Sequence, residues 1–249
     1  MIRAGVIPAG SSRSTGAGTT EIRRPEIYNR RAAAVYLSKV DTLRTVILAS
    51  ASPRRRALLS SLGLNVCVVA SRYEEVTSEP LPPRILAARH ARGKALGAEL
   101  DGAPGELFAR GSPLVAADTV VDVDGIALGK PQDEAQGRAM LRTLSGREHQ
   151  VHTAFFVRTP DGRTAEHTET TTVRFYELDD DEIEAYVATG DGADKAGGYG
   201  IQGVGAPLVE RIDGDFYTVM GFPLGAFVRR LRGLGWTLRL HDAAKASLP

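Results

Sequence analysis

Ser50-Ala51-Ser52-Pro53-Arg54-Arg55 brings two hydroxyls and two guanidinium groups into one short stretch. Hydroxyls and planar guanidinium forks are donors suited to phosphate oxygens, and each charge-assisted hydrogen bond contributes about 1.5–3 kcal/mol. The stretch follows an apolar run, Thr45–Ala49, and its Ser52-Pro53 pair is a helix start, a capping hydroxyl followed by a proline suited to the first helical position. A buried strand that turns into a helix aims free backbone N–H groups and the positive helix end at the turn, which makes an anion site by construction. Successive helical residues diverge by about 100°, so Arg54, Arg55 and Arg56 cannot all face one ligand. An ordinary capped helix with solvated arginines is the competing reading.

Asp118 is the second candidate. It closes the apolar run Leu114-Val115-Ala116-Ala117, and a carboxylate entering a core is costly unless a metal, a cation or hydrogen-bond donors meet it. Glu74 and Glu75, just past a second apolar run at 64–70, offer further carboxylates. Paired carboxylates with open positions suit a divalent metal such as Mg²⁺ bound to substrate phosphates, although a solvated loop pair has the same spacing. Lys130 follows the Asp124-Gly125 hairpin signal, and strict two-residue register sets it opposite Thr119. Asp118 then points to the other face, so its convergence with Lys130 on one ligand requires a bulge, a strong twist or the lysine's reach.

Lys94 falls on the small-residue stripe Ala87, Ala91, Ala98 of a helical pattern, as a snorkelling stem or as a ligand contact. The stretch Asp194-Lys195-Ala196-Gly197-Gly198-Tyr199-Gly200-Ile201-Gln202-Gly203 is too poor in bulk for a core and too rich in glycine for plain surface, which fits close backbone approach to a ligand. Within it Gln202 offers both a donor and an acceptor, as a nucleobase edge demands. His90, His149, His152, His167 and His241 show no metal-ligand spacing and carry no assigned role.

The elements that must position these residues begin with a strand at 45–49, a helix from Pro53 stopped by Gly63, a strand over 64–70 and a helix from Pro82-Pro83 to about Leu100. Three glycines and two prolines make 101–113 a surface loop before a strand at 114–123 that folds back at 126–130. A helix over 133–144 follows, then a hairpin of 149–158 and 167–176 about Thr159-Pro160-Asp161-Gly162. Asp179 with Glu182 forms a capping box opening a helix to Ala188. Asp213-Gly214 is read as joining two further strands, with a last helix over 223–234. The result is an α/β chain built on a mixed β-sheet flanked by helices, not a doubly wound parallel one. No GxGxxG follows a strand, and Gly190–Lys195 lacks the GK[ST] ending of a P-loop.

Among its 249 residues, 43% are apolar and 24% charged, and no window holds the roughly 18 apolar residues of a membrane span. No membrane partner is expected. The single cysteine, Cys67, lies in an apolar run and reads as a buried inert thiol; a disulfide framework is excluded, which fits a reducing, cytoplasmic compartment. The net charge of +1 hides a basic start, in which eight Arg/Lys of residues 1–45 stand against Glu21, Glu26 and Asp41. These charges are scattered and not interleaved with aromatics, so residues 1–43 read as a solvated extension, helical around Arg30 to Leu37, and not as a nucleic-acid arm. Residues 44–235 form the folded domain and 236–249 a C-terminal tail.

Taken together the motifs resemble the Maf family, septum formation inhibitor proteins that are nucleoside triphosphate pyrophosphatases. The resemblance runs over about residues 45–232, on LASASPRRRALLSSLG (48–63), YEE (73–75), AADTVV (116–121), GKP (129–131), MLRTLSGREHQVHTA (140–154) and DKAGGYGIQG (194–203). It implies a Maf/ITPase-like mixed sheet bent around a cleft, often a homodimer, and hydrolysis between the α- and β-phosphates with a divalent metal (Mg, Mn or Co). The YGIQG loop and the KP after the hairpin look like the branch acting on dTTP and UTP rather than the 7-methyl-GTP branch; a nucleotide-binding regulator of cell division is the rival outside enzymes. By the same resemblance Asp118 matches the proton acceptor, and Glu75 a carboxylate linked to metal and catalysis. Arg54, Thr119 and Gln202 match positions that set substrate choice, and Ser50, Arg55, Lys94 and Lys130 match phosphate-side contacts, to which Ser52 adds its hydroxyl. The basic extension and the loop at 101–113 depart from the pattern.

Overall fold

The computed structural model of the chain describes residues 41–75 and 80–238. The basic segment 1–40, with the helix expected around Arg30 to Leu37, and residues 239–249 lie outside the described residues. The apolar runs become strands. β2 (Thr45–Ala49) runs parallel to β3 (Asn65–Val69) on one side and to β4 (Leu114–Val123) on the other. β4 then pairs antiparallel with β5 (Ile126–Leu128) and β6 (Glu148–Arg158), β6 with β7 (Thr164–Phe175), and β7 with β8 (Val209–Asp213). The sheet order is β3-β2-β4-β6-β7-β8 with β5 added to β4, two pairings parallel and four antiparallel, as the mixed pattern requires.

Helices cover the sheet: α1 (Pro53–Ser61), α2 (Pro83–Leu96), α3 (Ala103–Ala109), α4 (Glu134–Leu144), α5 (Asp180–Ala188), α6 (Phe216–Met220) and α7 (Leu224–Gly233). Alternation along β4 sorts the cores. Val115 and Ala117 face a cluster with Leu59, Phe155, Phe222 and Phe227, whereas Leu114, Ala116 and Val120 face Ala87, Ala91 and Ala95 of α2. A third cluster, around Val121, Val123, Leu141, Phe175 and Tyr199, fills the space under α4 and α5.

Four expectations are corrected. The loop at 101–113 holds helix α3, because Leu107 and Phe108 find an apolar wall against the α2-side core while Arg158 covers the Phe108 ring. Residues after Gly214 form not a strand but α6: the Asp215 carboxylate accepts from the N–H and the hydroxyl of Thr218, both at 2.9 Å, and this cap overrides the β-favouring Phe216-Tyr217-Thr218-Val219. The folded body also extends past both expected ends, since β1 (Asp41–Thr42) pairs parallel with β9 (Trp236–Thr237), and Leu43 and Trp236 are buried. Cys67, expected to be buried, is half-buried because β3 is an edge strand.

Candidate active site

β2 pairs with β4 only as far as Leu48 opposite Val115, and β5 joins the same edge of β4 only from Val121. Among the described residues no strand covers that edge from Ala116 to Val120. Asp118 and Thr119 sit in this gap and point to opposite faces of the sheet, yet a ligand lying at the open edge reaches both. The opening takes the place of the bulge or twist expected from the strict two-residue register. Because β2 ends at the same place, the turn from β2 into α1 forms one lip of the gap, the position at the carboxyl ends of strands where open α/β sheets bind ligands.

That turn is built from its own side chains. Ser52 caps α1, its hydroxyl accepting from the Arg55 N–H at 3.5 Å, with Pro53 at the first helical turn. Arg55 folds back into the gap. Its Nε donates to the Gly221 carbonyl at 2.9 Å, Nη1 to Ser50 Oγ at 3.2 Å and Nη2 to Thr119 Oγ1 at 3.0 Å. Burial pulls this guanidinium below its ordinary value, with Asp118 opposing the shift, but an arginine so placed stays cationic. Arg54 leaves in the other direction and pairs with Asp194 at 3.1 Å, and Arg56 is exposed, so the three arginines do diverge.

Across the gap, α2 contributes Lys94. Its ammonium lies 2.6 Å from Asp118 Oδ1 and 2.7 Å from Glu75 Oε1, so it bridges the carboxylates as a cation and does not snorkel to solvent. Asp118 is 6% exposed, which is tolerable because this partner is in place. For Glu75, burial pulls the carboxyl up, but the hydrogen bond and charge of Lys94, aided by His90 and Lys130, outweigh it and leave the group below its usual range. A ring nitrogen of His90 and one oxygen each of Glu75 and Asp118 lie within 4.8 Å of one another. His90 is the site residue that sequence reasoning missed. It stands alone on a helix, and its relevant neighbours are 15 or more residues away in sequence, so no spacing rule detects it.

The far wall is the loop after α5. Tyr186 Oη donates to the Asp191 carboxylate and accepts from the Gly200 N–H, both at 2.9 Å, while Lys195 pairs with Asp191 and Asp194. The Gly197 N–H donates to the Gly129 carbonyl at 2.9 Å, tying this loop to the segment that carries Lys130. A side chain at Gly192 would overlap the Gly198 carbonyl, which is why the loop needs glycine there. The cleft enclosed by these walls is about 610 Å³, the size of a nucleotide-class ligand site. Ser52, Arg54, Arg55, Glu75, Lys94, Asp118, Thr119, Lys130 and Gln202 all line it. Ser50 stands behind Arg55, and Glu74 does not reach the cleft lining.

Comparison with known proteins accords with this geometry. Residues 45–234 match the family described as Maf-like protein. The chain is 49% identical over 191 residues to the dTTP/UTP pyrophosphatase of Thermus thermophilus, covering 77% of this chain and 93% of that protein. It is 43% identical over 196 residues to the enzyme of the same name from Deinococcus radiodurans, covering 78% and 95%. A third, from Thermococcus gammatolerans, is 44% identical over 192 residues, covering 77% and 97%.

Proposed function

This chain belongs to the Maf-like protein family, and we propose that it is a nucleoside triphosphate pyrophosphatase that converts dTTP and UTP, with modified pyrimidine nucleotides as a further class, to the monophosphate and pyrophosphate. The observation that carries the reading is the meeting, at one gap in the sheet, of a helix-start phosphate cradle with the Asp118, Glu75 and Lys94 cluster. Relatives named for this activity match along most of their length.

In this reading the triphosphate lies along the gap with its phosphates between the Ser50–Arg55 turn and Lys94 and Lys130. Thr119 and Arg54 bear on the sugar and base side, and Gln202 meets the base edge with its donor and acceptor. The donor set fits a divalent metal, because the carboxylates of Glu75 and Asp118 already accept a cation between them and a buried imidazole nitrogen stands beside them. Glu75 and Asp118 would hold it, and when bound it neutralises the phosphate charge. Lys94 engages Asp118 Oδ1 and orients the carboxylate, which takes a proton from a water aimed at the α-phosphorus. As that water adds, the bond from the α-phosphorus to the bridging oxygen breaks and pyrophosphate departs with the electron pair. Preorganised Arg55 and Lys94 stabilise the charge that develops on the phosphoryl oxygens.

A panel of nucleoside triphosphates, assayed for pyrophosphate release with Mg²⁺, Mn²⁺ and Co²⁺ in turn, tests this. The expected result is that dTTP and UTP exceed purine nucleotides and give monophosphate and pyrophosphate in equal amounts. Release of single phosphates, or a preference for 7-methyl-GTP, would overturn it.

A further inference from the structure

His90 has an unsatisfied buried nitrogen. The side chain is 2% exposed, Nδ1 lies 2.9 Å from the Tyr73 hydroxyl, and Nε2 has no hydrogen-bond partner. A buried polar atom left unpaired is destabilising, so it calls for a ligand. The side chain lines the cleft beside Glu75 and Asp118, at separations that one ion can span. Lys94 between those two carboxylates shows that a positive charge is already at home there.

The surroundings hold the ring in place. Tyr73 packs against α2 at Gly93, where any side chain would overlap the tyrosine ring. Ser71 straps the same stretch down, its hydroxyl donating to the Lys94 carbonyl at 2.9 Å and accepting from the Tyr73 N–H at 3.2 Å. The tyrosine ring meets the imidazole edge-on, with centroids 5.7 Å apart. A mid-helix glycine is destabilising relative to alanine, and here it is what lets the Tyr73 hydroxyl reach His90.

We propose that His90 is a third ligand, through Nε2, to the divalent cation held by Glu75 and Asp118, with Tyr73 as the positioning residue that accepts the Nδ1–H and fixes the tautomer. The proposal rests on the pyrophosphatase reading for the cation's presence and adds the ligand and its consequence. Metal-bound histidines ordinarily give their other ring N–H to such a partner. An imidazole beside two carboxylates shifts preference away from Mg²⁺, a cation of oxygen ligands, toward Mn²⁺ and more strongly Co²⁺.

The test uses Mn²⁺ as the probe on the full chain without nucleotide, read by pulsed electron paramagnetic resonance for imidazole nitrogen coupling and by titration for affinity. Coupling is expected in the wild type and absent in His90→Leu, whose Mn²⁺ Kd is expected to rise by about 10–100-fold. Tyr73→Phe should keep the coupling and weaken binding by a smaller factor. A wild-type spectrum without nitrogen coupling overturns the proposal whether or not the variant folds, and so does coupling that persists unchanged in His90→Leu. Pyrophosphate release from dTTP, measured on the same wild-type sample, separates the two readings. Turnover without coupling removes only the His90 ligand, whereas coupling without turnover of any nucleotide removes the hydrolase and leaves the metal ligand standing.

Discussion

Asp118 carries the reaction in the proposed mechanism, and its contribution is isolated by a change that keeps its shape. Asp118→Asn is expected to lower kcat by about 10²–10⁴-fold while nucleotide binding, measured by titration, stays in range; wild-type turnover would remove the assignment. Arg55 is a different kind of residue, because its planar fork reaches Gly221, Ser50 and Thr119 at once. Lysine offers one ammonium in place of that fork, so Arg55→Lys is expected to cost about 1–3 kcal/mol, read as a lower urea midpoint, together with a raised KM. His149 contributes a pH dependence to stability on the acid side. Burial, helped by Arg147, pushes its pKa from 6.5 down to about 4. Between those values the unfolded chain binds a proton that the folded chain does not, so stability falls as pH drops from about 6.5 to 4, by on the order of 3 kcal/mol. His149→Phe should flatten that slope in chemical unfolding curves. Asp118 was legible in the sequence because a carboxylate interrupting an apolar run violates a rule. His90 and the Lys94 bridge were not, because a lone imidazole or ammonium on a helix breaks no local rule and gains meaning only from what the fold sets against it.

Elements with local signals were legible, and those decided by packing were not. Ser52-Pro53 announced α1 and Asp179 with Glu182 announced α5, each because a cap is a contact between near neighbours in sequence. α3 was hidden, since the stretch 101–113 around it holds three glycines and two prolines, while Leu107 and Phe108 supply the reason it folds. The residues after Gly214 read as a strand by their side chains, yet Asp215 caps them into α6. That cap matters for the site, because α6 ends at Gly221, whose carbonyl receives Arg55, and the Thr218 carbonyl accepts from Thr153 Oγ1 at 2.7 Å. Asp215→Ala is expected to destabilise by about 0.5–2 kcal/mol and to weaken nucleotide binding along with it, a coupling that thermal melts and KM together would show. In the loop after α5, Gly192→Ala drives a methyl into the Gly198 carbonyl and should misplace Gln202. The expected signature is lost discrimination between dTTP and purine nucleotides at near-normal helical content by circular dichroism.

At the scale of the whole molecule, the candidate active site is the place where the sheet fails to close. The parallel part ends its pairing at Val115 and the antiparallel addition begins at Val121, so the walls of the cleft come from β4, α1, α2, the β5 segment and the loop after α5. These walls meet across the gap through a few polar contacts, Arg54 with Asp194, Arg55 with Thr119 and Gly197 with Gly129 among them. A ligand that fills the gap therefore bridges elements from opposite sides of it, and it binds the folded state alone. For the Asp118→Asn protein, which holds nucleotide without consuming it, saturation at about 100 times Kd is expected to add about 2.7 kcal/mol. For a chain of this size that corresponds to a rise in Tm of roughly 5–10 °C. The rise should be larger for dTTP and UTP than for ATP at equal concentration, should shrink when the divalent metal is removed with a chelator, and should persist when residues 1–40 are deleted, because among the described residues those lining the cleft lie between Ser52 and Gly221. A shift that depends on residues 1–40 would place part of the binding surface outside the domain that the family match covers.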